Sequence, residues 1–416
     1  MSPTRAVCDA DPDSLTIAQA QERIQARLPR IAQTAEIACS EAKGRVCAID
    51  VLSPMSVPSF RASAMDGYAV RSLECNNPLK VAGQSLAGHP AMQTLPAGCC
   101  FRITTGARVP DDADAVVQQE NVSKDGDIVT VLQAPKEGLH VRLPGSDSAR
   151  NSILVKAGSR LGASEIALLS AHGVVHVRVK RLQHVALFST GDELRNPGQA
   201  LAEGEIYDAN RPLLQAMLSS EAVHVTDLGI CPDSEAALQA FLSKAQTADI
   251  VISSGGVSVG DADYVRSVLE KTGQIDLWKI AIKPGRPLTF GLTHSMQAYF
   301  GLPGNPVSAA ITALLFVIPA INLMLGQSSQ TVPAMSLPLQ GKLSKNPGRV
   351  EYQRAIMSRN EHGTWQASTT GLQDSHVLSS LHKANCLIEL GVESCGANDG
   401  EQVTVYPFTH FSQPIL

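Results

Sequence analysis

The chain has 416 residues, of which 44% are hydrophobic and 18% charged, and its formal net charge is −5. This length exceeds what one hydrophobic core supports, so we expect roughly two to four domains in a globular protein. The slight negative charge and the 4% aromatic content argue against nucleic acid as a partner, because phosphate backbones attract basic surfaces and bases stack on aromatic rings.

Cysteines and the N-terminal residues indicate the compartment. Nine cysteines, an odd number without a CxxC pair, match neither a disulfide framework nor a zinc pattern. The first residues lack the basic start and apolar core of a secretory signal. The most apolar run, residues 311–325, contains Pro319 and Asn322, which favours a buried helix over a membrane span. We therefore expect a cytoplasmic protein without a membrane partner.

Two helices are predicted near the N-terminus, at residues 14–28 and 34–42, because apolar residues recur there at helical spacing. A third helix is predicted at 164–172, followed by an alternating strand at 174–179 that returns to the N-terminal helices. These elements predict a helical or mixed linking domain built from two segments, 10–50 and 149–181.

Short β-rich runs dominate the next segment, and we expect residues 51–148 to form a small β-rich domain. Runs at 115–119 and 127–132 are typical strands, and Lys124-Asp125-Gly126 is a hairpin signal. Residues 63–70 place an acid before a glycine, and residues 103–110 place hydroxyls before another. An ordinary turn explains either of these two motifs when it is taken alone.

Strands and helices alternate in residues 182–328, which predicts a parallel α/β domain. In such sheets ligands bind at the carboxyl ends of the strands. The predicted elements are strands at 185–189 and 223–229 and helices at 211–220 and 234–245.

The run at residues 250–264, IVISSGGVSVGDADY, ends a buried strand in a glycine turn that is followed by two acids. Glycines allow backbone N–H groups to approach an anion closely. Asp261 and Asp263 would repel a phosphate unless a cation lay between them, which indicates an oxygen-liganded ion such as Mg²⁺. The alternative is an ordinary connection between a strand and a helix, in which the glycines turn the chain and an acid caps the next helix.

Other strand ends in this domain also carry acids. One presents Asp192 and Glu193 beside a glycine; Glu193 is a metal or base candidate, whereas a turn role is favoured for Asp192. Asp208 or Asn210 precedes a predicted helix as its N-cap, and capping is the favoured explanation for both. Asp233 precedes the following helix, and local geometry again explains it from the sequence alone.

Three cations follow the glycine turn. Lys279 and Lys283 lie in a strand-like run, where even spacing would direct both side chains to one face, and Arg286 comes shortly after. Farther along, Asn305 and Pro306 are placed as the N-cap and first position of a long helix. Anionic ligands would need such cations nearby.

The C-terminal segment, residues 332–416, has short β-like runs and predicts a small all-β domain. The runs lie at 352–357, 365–369, 386–390 and 402–405. The predicted fold class is therefore multidomain α/β plus β.

Eight motifs occur in one order along nearly the whole chain, and together they resemble the MoeA family of molybdopterin molybdenumtransferases, which includes the E domain of gephyrin. The resemblance implies a MogA-like α/β domain and a homodimer of four-domain subunits, in which the α/β domain of one subunit faces the small β domain of the other. The motifs are SAMDGYAV, TTGARVP, VVQQE, FSTGDEL, YDANRPLL, SSGGVSVGDADYV, KPGRPL and GLPGNPVSA.

The activity that the resemblance implies is the final step of molybdenum cofactor assembly. Adenylylated molybdopterin and molybdate react in the presence of Mg²⁺, AMP is released, and the metal stays on the pterin dithiolene. The molybdopterin adenylyltransferase and the cofactor-accepting enzymes are the expected partners.

Site residues are implied by the same resemblance, position by position. Glu193 and Asp263 would hold the metal, and Asp66 and Thr105 would complete the site from the partner subunit. Arg354 and Ser375 would reach in from the C-terminal domain. The implied catalytic residues are Asp66, Glu193, Asp233 and Asp263. The implied substrate-binding residues are Thr105, Ser254, Gly255, Gly256, Ser258, Gly260, Lys279, Lys283, Pro303, Pro306, Arg354 and Ser375.

One segment departs from the family pattern. Residues 140–147 read HVRLPGSD, where relatives commonly carry an arginine-rich run ending in Gly-Glu-Asp, so charge is lost at Leu143 and Ser146. This leaves a second hypothesis open, a non-catalytic or specialised paralogue that binds the cofactor precursor as a scaffold or carrier.

Overall fold

The computed structural model describes residues 11–256, 268, 271, 273–327 and 333–408, and the chain forms two compact units. The division is coarser than the four predicted domains, which remain a prediction. The large unit comprises Met1–Ala35, Gly44–Ala48 and Val179–Leu416, and the small unit comprises Glu36–Lys43 and Ile49–Arg178.

The first helix, α1 (Ile17–Arg27), confirms the prediction at residues 14–28. A capping box starts it: Gln19 N donates to Thr16 Oγ1 at 3.2 Å, and Thr16 N donates to Gln19 Oε1 at 2.9 Å. Two otherwise unpaired backbone donors are satisfied in this way.

The second predicted helix, at residues 34–42, is wrong. The segment forms strand β1 (Thr34–Ala38) and a single 3₁₀ turn. Its flanking backbone groups bond to other segments: Arg181 N donates to Gln33 O at 3.1 Å in the large unit, and Cys39 N donates to Val175 O at 2.9 Å in the small unit. These pairings override the helical propensity of its alanines and glutamates.

The next elements along the chain are β2 (Val51–Leu52), β3 (Ala62–Ser63), β4 (Gly67–Val70), β5 (Leu79–Ser85), β6 (Cys99–Ile103), β7 (Ala115–Gln118), β8 (Val122–Asp125), β9 (Ile128–Val131), β10 (Val141–Arg142), β11 (Ile153–Val155), α2 (Ala163–Ala171) and β12 (His176–Lys180). The small unit is built on a six-stranded sheet of these strands, in the order β7-β4-β6-β5-β9-β8. Strands β8 and β9 form the predicted hairpin, with Asp125 paired to Ile128.

In the large unit the chain continues with β13 (Gln183–Thr190), β14 (Leu194–Arg195), β15 (Ile206–Tyr207), α3 (Asn210–Leu218), β16 (Val223–Cys231), α4 (Glu235–Lys244), β17 (Ile250–Ser254), β18 (Gly273–Lys279), β19 (Ile282–Lys283), β20 (Pro287–Thr293), β21 (Ala298–Leu302) and the helix α5 (Pro306–Met324). Six of these strands form a second six-stranded sheet, in the order β16-β13-β17-β21-β20-β18.

Strands β16, β13, β17 and β21 are parallel, which confirms the predicted α/β arrangement. Strand β20 runs antiparallel to both of its neighbours, so β18 again points the same way as the parallel strands. The carboxyl ends of these five strands share one edge of the sheet, which we call the carboxyl edge. There Ser254 pairs with Ser189 on one side and with Leu302 on the other.

Helices cover both faces of this sheet because the strands are apolar on both sides. Along β13, Val185 and Leu187 pack in the cluster that includes residues of α3 and α5. Ala186 and Phe188 point the opposite way and pack in the cluster that includes residues of α4.

Helix α5 is, among the described residues, the one helix long and apolar enough by length and composition to cross a membrane. In the fold, 67% of its apolar stretch is buried inside the protein, as in a core helix. Its middle, Ala313–Val317, is a π turn just before Pro319, which cannot donate the α-helical bond to Leu315 O. That carbonyl accepts a hydrogen bond from Gln21 Nε2 of α1 at 2.9 Å.

The predicted C-terminal β domain is confirmed as a small closed barrel. The elements are β22 (Met335–Gln340), β23 (Leu343–Ser344), β24 (Val350–Arg359), β25 (Trp365–Thr369), α6 (Leu378–Lys383), β26 (Cys386–Leu390), β27 (Gly396–Ala397) and β28 (Gln402–Pro407). The strand order of the barrel is β24-β25-β22-β28-β26, and β26 pairs with β24 to close it.

Candidate active site

The glycine turn after β17 brings three chain segments together at the carboxyl edge. Gly255 has a φ of +94°, and its N–H donates to Leu302 O at 3.0 Å. A Cβ at this position would lie 2.6 Å from Thr190 O. Because only glycine fits that space, the end of β17 lies directly against the ends of β13 and β21.

Asn210 joins this turn to the next one. Its Nδ2 donates to Ser254 Oγ at 2.8 Å and to Gly304 O at 2.6 Å, and the residue is 8% exposed. Capping of α3 falls instead to Asp208, whose Oδ1 accepts from the backbone N–H groups of Asn210 and Arg211 at 3.1 and 3.2 Å. This role of Asn210 was not predictable from the local sequence, because the partners are 44 and 94 residues away.

Three buried polar atoms at the same edge have no hydrogen-bond partner. They are Ser189 Oγ, Thr190 Oγ1 and Asn210 Oδ1, as judged over the part of the chain that the structure describes. Buried polar groups are almost always paired, with protein, ordered water or a ligand. These atoms are therefore suited to a polar ligand or bound water at the carboxyl edge.

Carboxylates follow β13 and β16. Asp233 N donates to Asp192 Oδ1 at 3.1 Å and Asp192 N donates to Asp233 Oδ2 at 3.3 Å, so each acid holds the other's loop. The Glu193 carboxylate folds back over Gly191, where an added Cβ would meet Glu193 Oε2 at 2.5 Å. The turn role expected for Asp192 is thus present, and Asp233 and Glu193 lie in the same pair of loops.

This donor set fits a hard cation. Asp192, Glu193 and Asp233 offer carboxylate oxygens only, the ligands that Mg²⁺ prefers. Over the described ranges, no group of three or more His, Cys, Asp or Glu side chains is already arranged to hold a metal ion. Asp263, the second predicted metal ligand, lies outside the described residues, as do Ser258, Gly260 and Asp261.

The turn after β21 leads into α5. Pro303 and Gly304 form the bend, Asn305 is the N-cap, and Pro306 opens the helix, as the sequence predicts. Asn305 Nδ2 donates to Ser375 Oγ at 3.0 Å, and Val307 N donates to Ser375 O at 3.3 Å. The loop that carries Ser375 is therefore attached to this turn.

Arg354 lies behind that loop and is 1% exposed. Its Nε donates to Ser380 Oγ at 3.0 Å and its Nη2 to Asp374 O at 3.0 Å. Burial lowers the pKa of the guanidinium to about 10. Arg354 alternates along its strand with Ala355, which packs in the barrel core, so it holds the chain next to Ser375 from the outer face of the barrel.

The prediction that Lys279 and Lys283 lie in one strand, with both side chains on the same face, is wrong. Lys279 ends β18 of the central sheet, whereas Lys283 belongs to β19, which pairs with β24 of the barrel. Lys283 Nζ lies 3.4 Å from Glu351 Oε2, and Lys279 Nζ lies 3.2 Å from Asp11 Oδ2. The two lysines therefore lie on different sheets, and each already has an acidic partner.

In the small unit, Asp66 and Thr105 lie together. Asp66 Oδ1 accepts from Thr105 N at 2.6 Å and from Thr105 Oγ1 at 3.0 Å. These bonds, first the backbone N–H and then the hydroxyl, lower the pKa of the exposed Asp66 carboxyl, and the charge of Arg102 adds to the effect. Asp66 is thus fixed as a carboxylate at neutral pH.

Comparison with known proteins covers three successive parts of the chain. Residues 15–173 match the MoeA N-terminal region (domain I and II), residues 186–323 match a family described as a probable molybdopterin binding domain, and residues 336–408 match the MoeA C-terminal region (domain IV).

Relatives and solved structures agree with these matches. The molybdopterin molybdenumtransferase of Haemophilus influenzae is 42% identical over 402 residues, covering 95% of this chain and 99% of that protein. Gephyrin of Dictyostelium discoideum is 32% identical over 85% of this chain, which spans 56% of gephyrin. Two crystal structures of the Pyrococcus horikoshii molybdopterin biosynthesis MoeA protein match with TM-scores of 0.82 and 0.78, at 27% and 31% identity; each covers 95% of this chain and at least 99% of the solved one. The chain therefore belongs to the MoeA family.

Proposed function

We propose that this chain is a molybdopterin molybdenumtransferase, an enzyme of molybdenum cofactor biosynthesis. It would insert molybdate into adenylylated molybdopterin and release AMP in a reaction that depends on Mg²⁺. The observation that supports this most directly is the carboxyl edge, where a glycine turn, exposed carboxylates and unpaired buried polar atoms meet. Such an edge suits a phosphate ester and a hard cation together.

Backbone groups and carboxylates would have different roles in this reaction. The backbone around Gly255 and the start of α5 would hold phosphate oxygens, and the Asn210 amide would keep these two turns at a constant spacing. Glu193 and Asp233, with Asp263, would hold Mg²⁺ and orient the attacking oxygen. When bound, the cation would screen the phosphate charge and favour deprotonation of an oxygen nucleophile.

The group transfer itself needs no covalent enzyme intermediate. An oxygen of molybdate or water would form a bond to the phosphorus of the molybdopterin phosphate, the P–O bond to AMP would break, and AMP would leave with the bonding electron pair. The two dithiol sulfurs would then bond to molybdenum, and their two protons would leave with one molybdate oxygen as water. Lys279, at the carboxyl edge, and Lys283, on strand β19, would balance the charge of the substrate.

An AMP-release assay with purified protein, adenylylated molybdopterin, Mg²⁺ and either molybdate or tungstate tests the proposal. We expect Glu193→Gln to lower turnover by about 100-fold, because a carboxylate that orients reacting groups is lost. The matched control is Glu203→Gln, an exposed acid in the same connecting region, which should keep wild-type turnover. Unchanged turnover in Glu193→Gln would refute its assignment to the site.

A non-catalytic carrier or scaffold of the same fold is the second candidate. The altered segment 140–147 favours it, since Leu143 is 61% exposed in the small unit at a position where the family resemblance implies a charged residue. Its signature is nucleotide binding measured by calorimetry in a protein that releases no AMP.

We further propose a cytoplasmic homodimer in which Asp66 and Thr105 serve the site of the partner subunit. The family resemblance supports this arrangement, and the proposed contacts with the adenylyltransferase and with cofactor-accepting enzymes have the same support.

A further inference from the structure

One acid near the N-terminus neutralises two of the three cations expected to meet an anionic substrate. The Asp11 carboxylate pairs with Lys279 at 3.2 Å and also accepts a hydrogen bond from Arg286 Nη2. Arg286 Nε is buried and has no hydrogen-bond partner within the described ranges. The guanidinium therefore has an unused donor beside an exposed lysine.

Docking of the segment that carries Asp11 does not require the charge of its carboxylate. Asp11 Oδ1 accepts from Asp13 N at 3.0 Å, and the amide oxygen of an asparagine can accept the same bond. Leu15 N donates to Lys279 O at 2.8 Å, and Ala281 N donates to Leu15 O at 2.8 Å. Helix α1 follows directly and buries Ala20 and Ile24 in the core of the large unit. Removal of the Asp11 charge should thus leave residues 11–15 in place.

The cation pair lies on the carboxyl edge. Lys279 is the last residue of β18, and β18 is three strands away from β17 in the sheet. At about 4.8 Å per strand, this places the pair roughly 14 Å from the glycine turn along the same edge. An ester in which a diphosphate joins two organic groups is long enough to contact both places.

We propose that Asp11 is an internal counter-ion that sets the affinity of Lys279 and Arg286 for the diphosphate group of the substrate. Two cations and one carboxylate leave a net charge of one, so an incoming phosphate must displace Asp11 or share the cations with it. Because it competes with the phosphate for the two cations, Asp11 weakens the binding of anions and speeds their release. The inference rests on the proposed function, which assigns Lys279 to the anionic substrate.

Calorimetric titration of the full chain with inorganic pyrophosphate tests this role. We expect Asp11→Asn to bind pyrophosphate about 5-fold more tightly than wild type, because a negative charge that repels the anion is removed from the site. The difference should shrink in 0.5 M salt, where charges are screened over roughly 4 Å. The matched control is Asp13→Asn in the same segment, because Asp13 is exposed and the ion pairs of both cations in the described residues go to Asp11.

The outcomes separate the two levels of the proposal. If Lys279→Ala weakens pyrophosphate binding and Asp11→Asn leaves the wild-type affinity, the counter-ion role is overturned while the proposed function stands. If Lys279→Ala has no effect, the assignment of Lys279 to the substrate fails. A tightening that persists in the double variant Asp11→Asn/Lys279→Ala would also overturn the inference, since it would not depend on the cation. Thermal unfolding of each variant checks that the large unit stays folded.

Discussion

Single side chains connect the turns of the candidate site. Asn210 bonds to the end of β17 and to the turn before α5, and Ser254 Oγ, which it meets, belongs to a residue that is 1% exposed. Loss of a buried donor leaves its acceptors without water or protein partners. The cost of changing Asn210 should therefore exceed that of changing an exposed amide.

Asn210→Ala should lower the free energy of unfolding of the large unit by about 2 kcal/mol, because Ser254 Oγ and Gly304 O lose their donor. It should also raise the KM for adenylylated molybdopterin as the two turns move apart. Urea unfolding and steady-state kinetics measure these effects. Asn121→Ala, which removes an exposed amide that donates to Gln118 Oε1 at 3.3 Å, should change the free energy of unfolding by less than about 0.5 kcal/mol.

Thr105→Val should raise the pKa of Asp66 toward its ordinary value, because the hydroxyl donor is removed while the backbone donor stays. Carboxyl ¹³C NMR titration measures the shift, and Thr105→Ser should preserve the wild-type value. Since the folded pKa of Asp66 is lowered, its bonds stabilise the fold above the unfolded pKa of about 3.9 and stop doing so as pH falls through the folded pKa. An equal pKa in Thr105→Val and wild type would refute this account.

Among the elements, α5 shows how one proline shapes a contact between two helices. Pro319 leaves Leu315 O without its α-helical donor, and Gln21 of α1 supplies one from outside the helix. The exposed polar side chain of α1 is in this way coupled to a residue in the middle of α5.

A double-mutant cycle measures that coupling. Gln21→Ala should cost about 1 kcal/mol in wild type and less than half of that in a Pro319→Ala background, where a new backbone N–H can donate to Leu315 O. The free energy of opening of α5, from amide hydrogen exchange, is the observable. Equal costs in both backgrounds would show that the two residues act independently.

Elements with strong local signals could be predicted from the sequence, and those that depend on distant partners could not. The strand at Ile250–Ser254, the cap at Asn305 and the hairpin at Asp125 have their causes within a few residues. The strand at Thr34–Ala38 arises from bonds to segments about 140 residues away, which compete with its helical propensity.

The candidate site follows the same division. Asp66 and Thr105 were expected together from their family motifs and lie within hydrogen-bond distance. The separation of Lys279 from Lys283 was not predictable, because the break at Ile280 reflects the pairing of β19 with a barrel strand some 70 residues later. The link from Asn210 to Gly304 was missed for the same reason.

At the scale of the whole molecule, the proposed shared site makes a strong prediction about mixed subunits. Asp66→Asn and Glu193→Gln should each keep only about 1% of wild-type turnover when refolded alone. After denaturation and refolding together in equal amounts, half of the dimers are mixed, and each mixed dimer has one site with both native residues. The mixture should recover about a quarter of wild-type turnover.

A site formed within one chain would give no recovery in that experiment. Size-exclusion chromatography with light scattering confirms that the refolded mixture is dimeric. A control mixture of Glu193→Gln with Asp233→Asn should stay inactive, because both residues lie in the large unit of the same subunit.

The docking of residues 11–15 also affects how the protein is synthesised. Lys279, which bonds to Asp11, is translated 268 residues later. At about 5–20 residues per second, the ribosome needs roughly 13–54 s to reach Lys279. Residues 11–15 therefore cannot form their bonds to β18 until the whole small unit has been synthesised. The small unit can therefore fold first, and the nascent N-terminal segment is exposed to chaperones and proteases until the second half of the chain is complete.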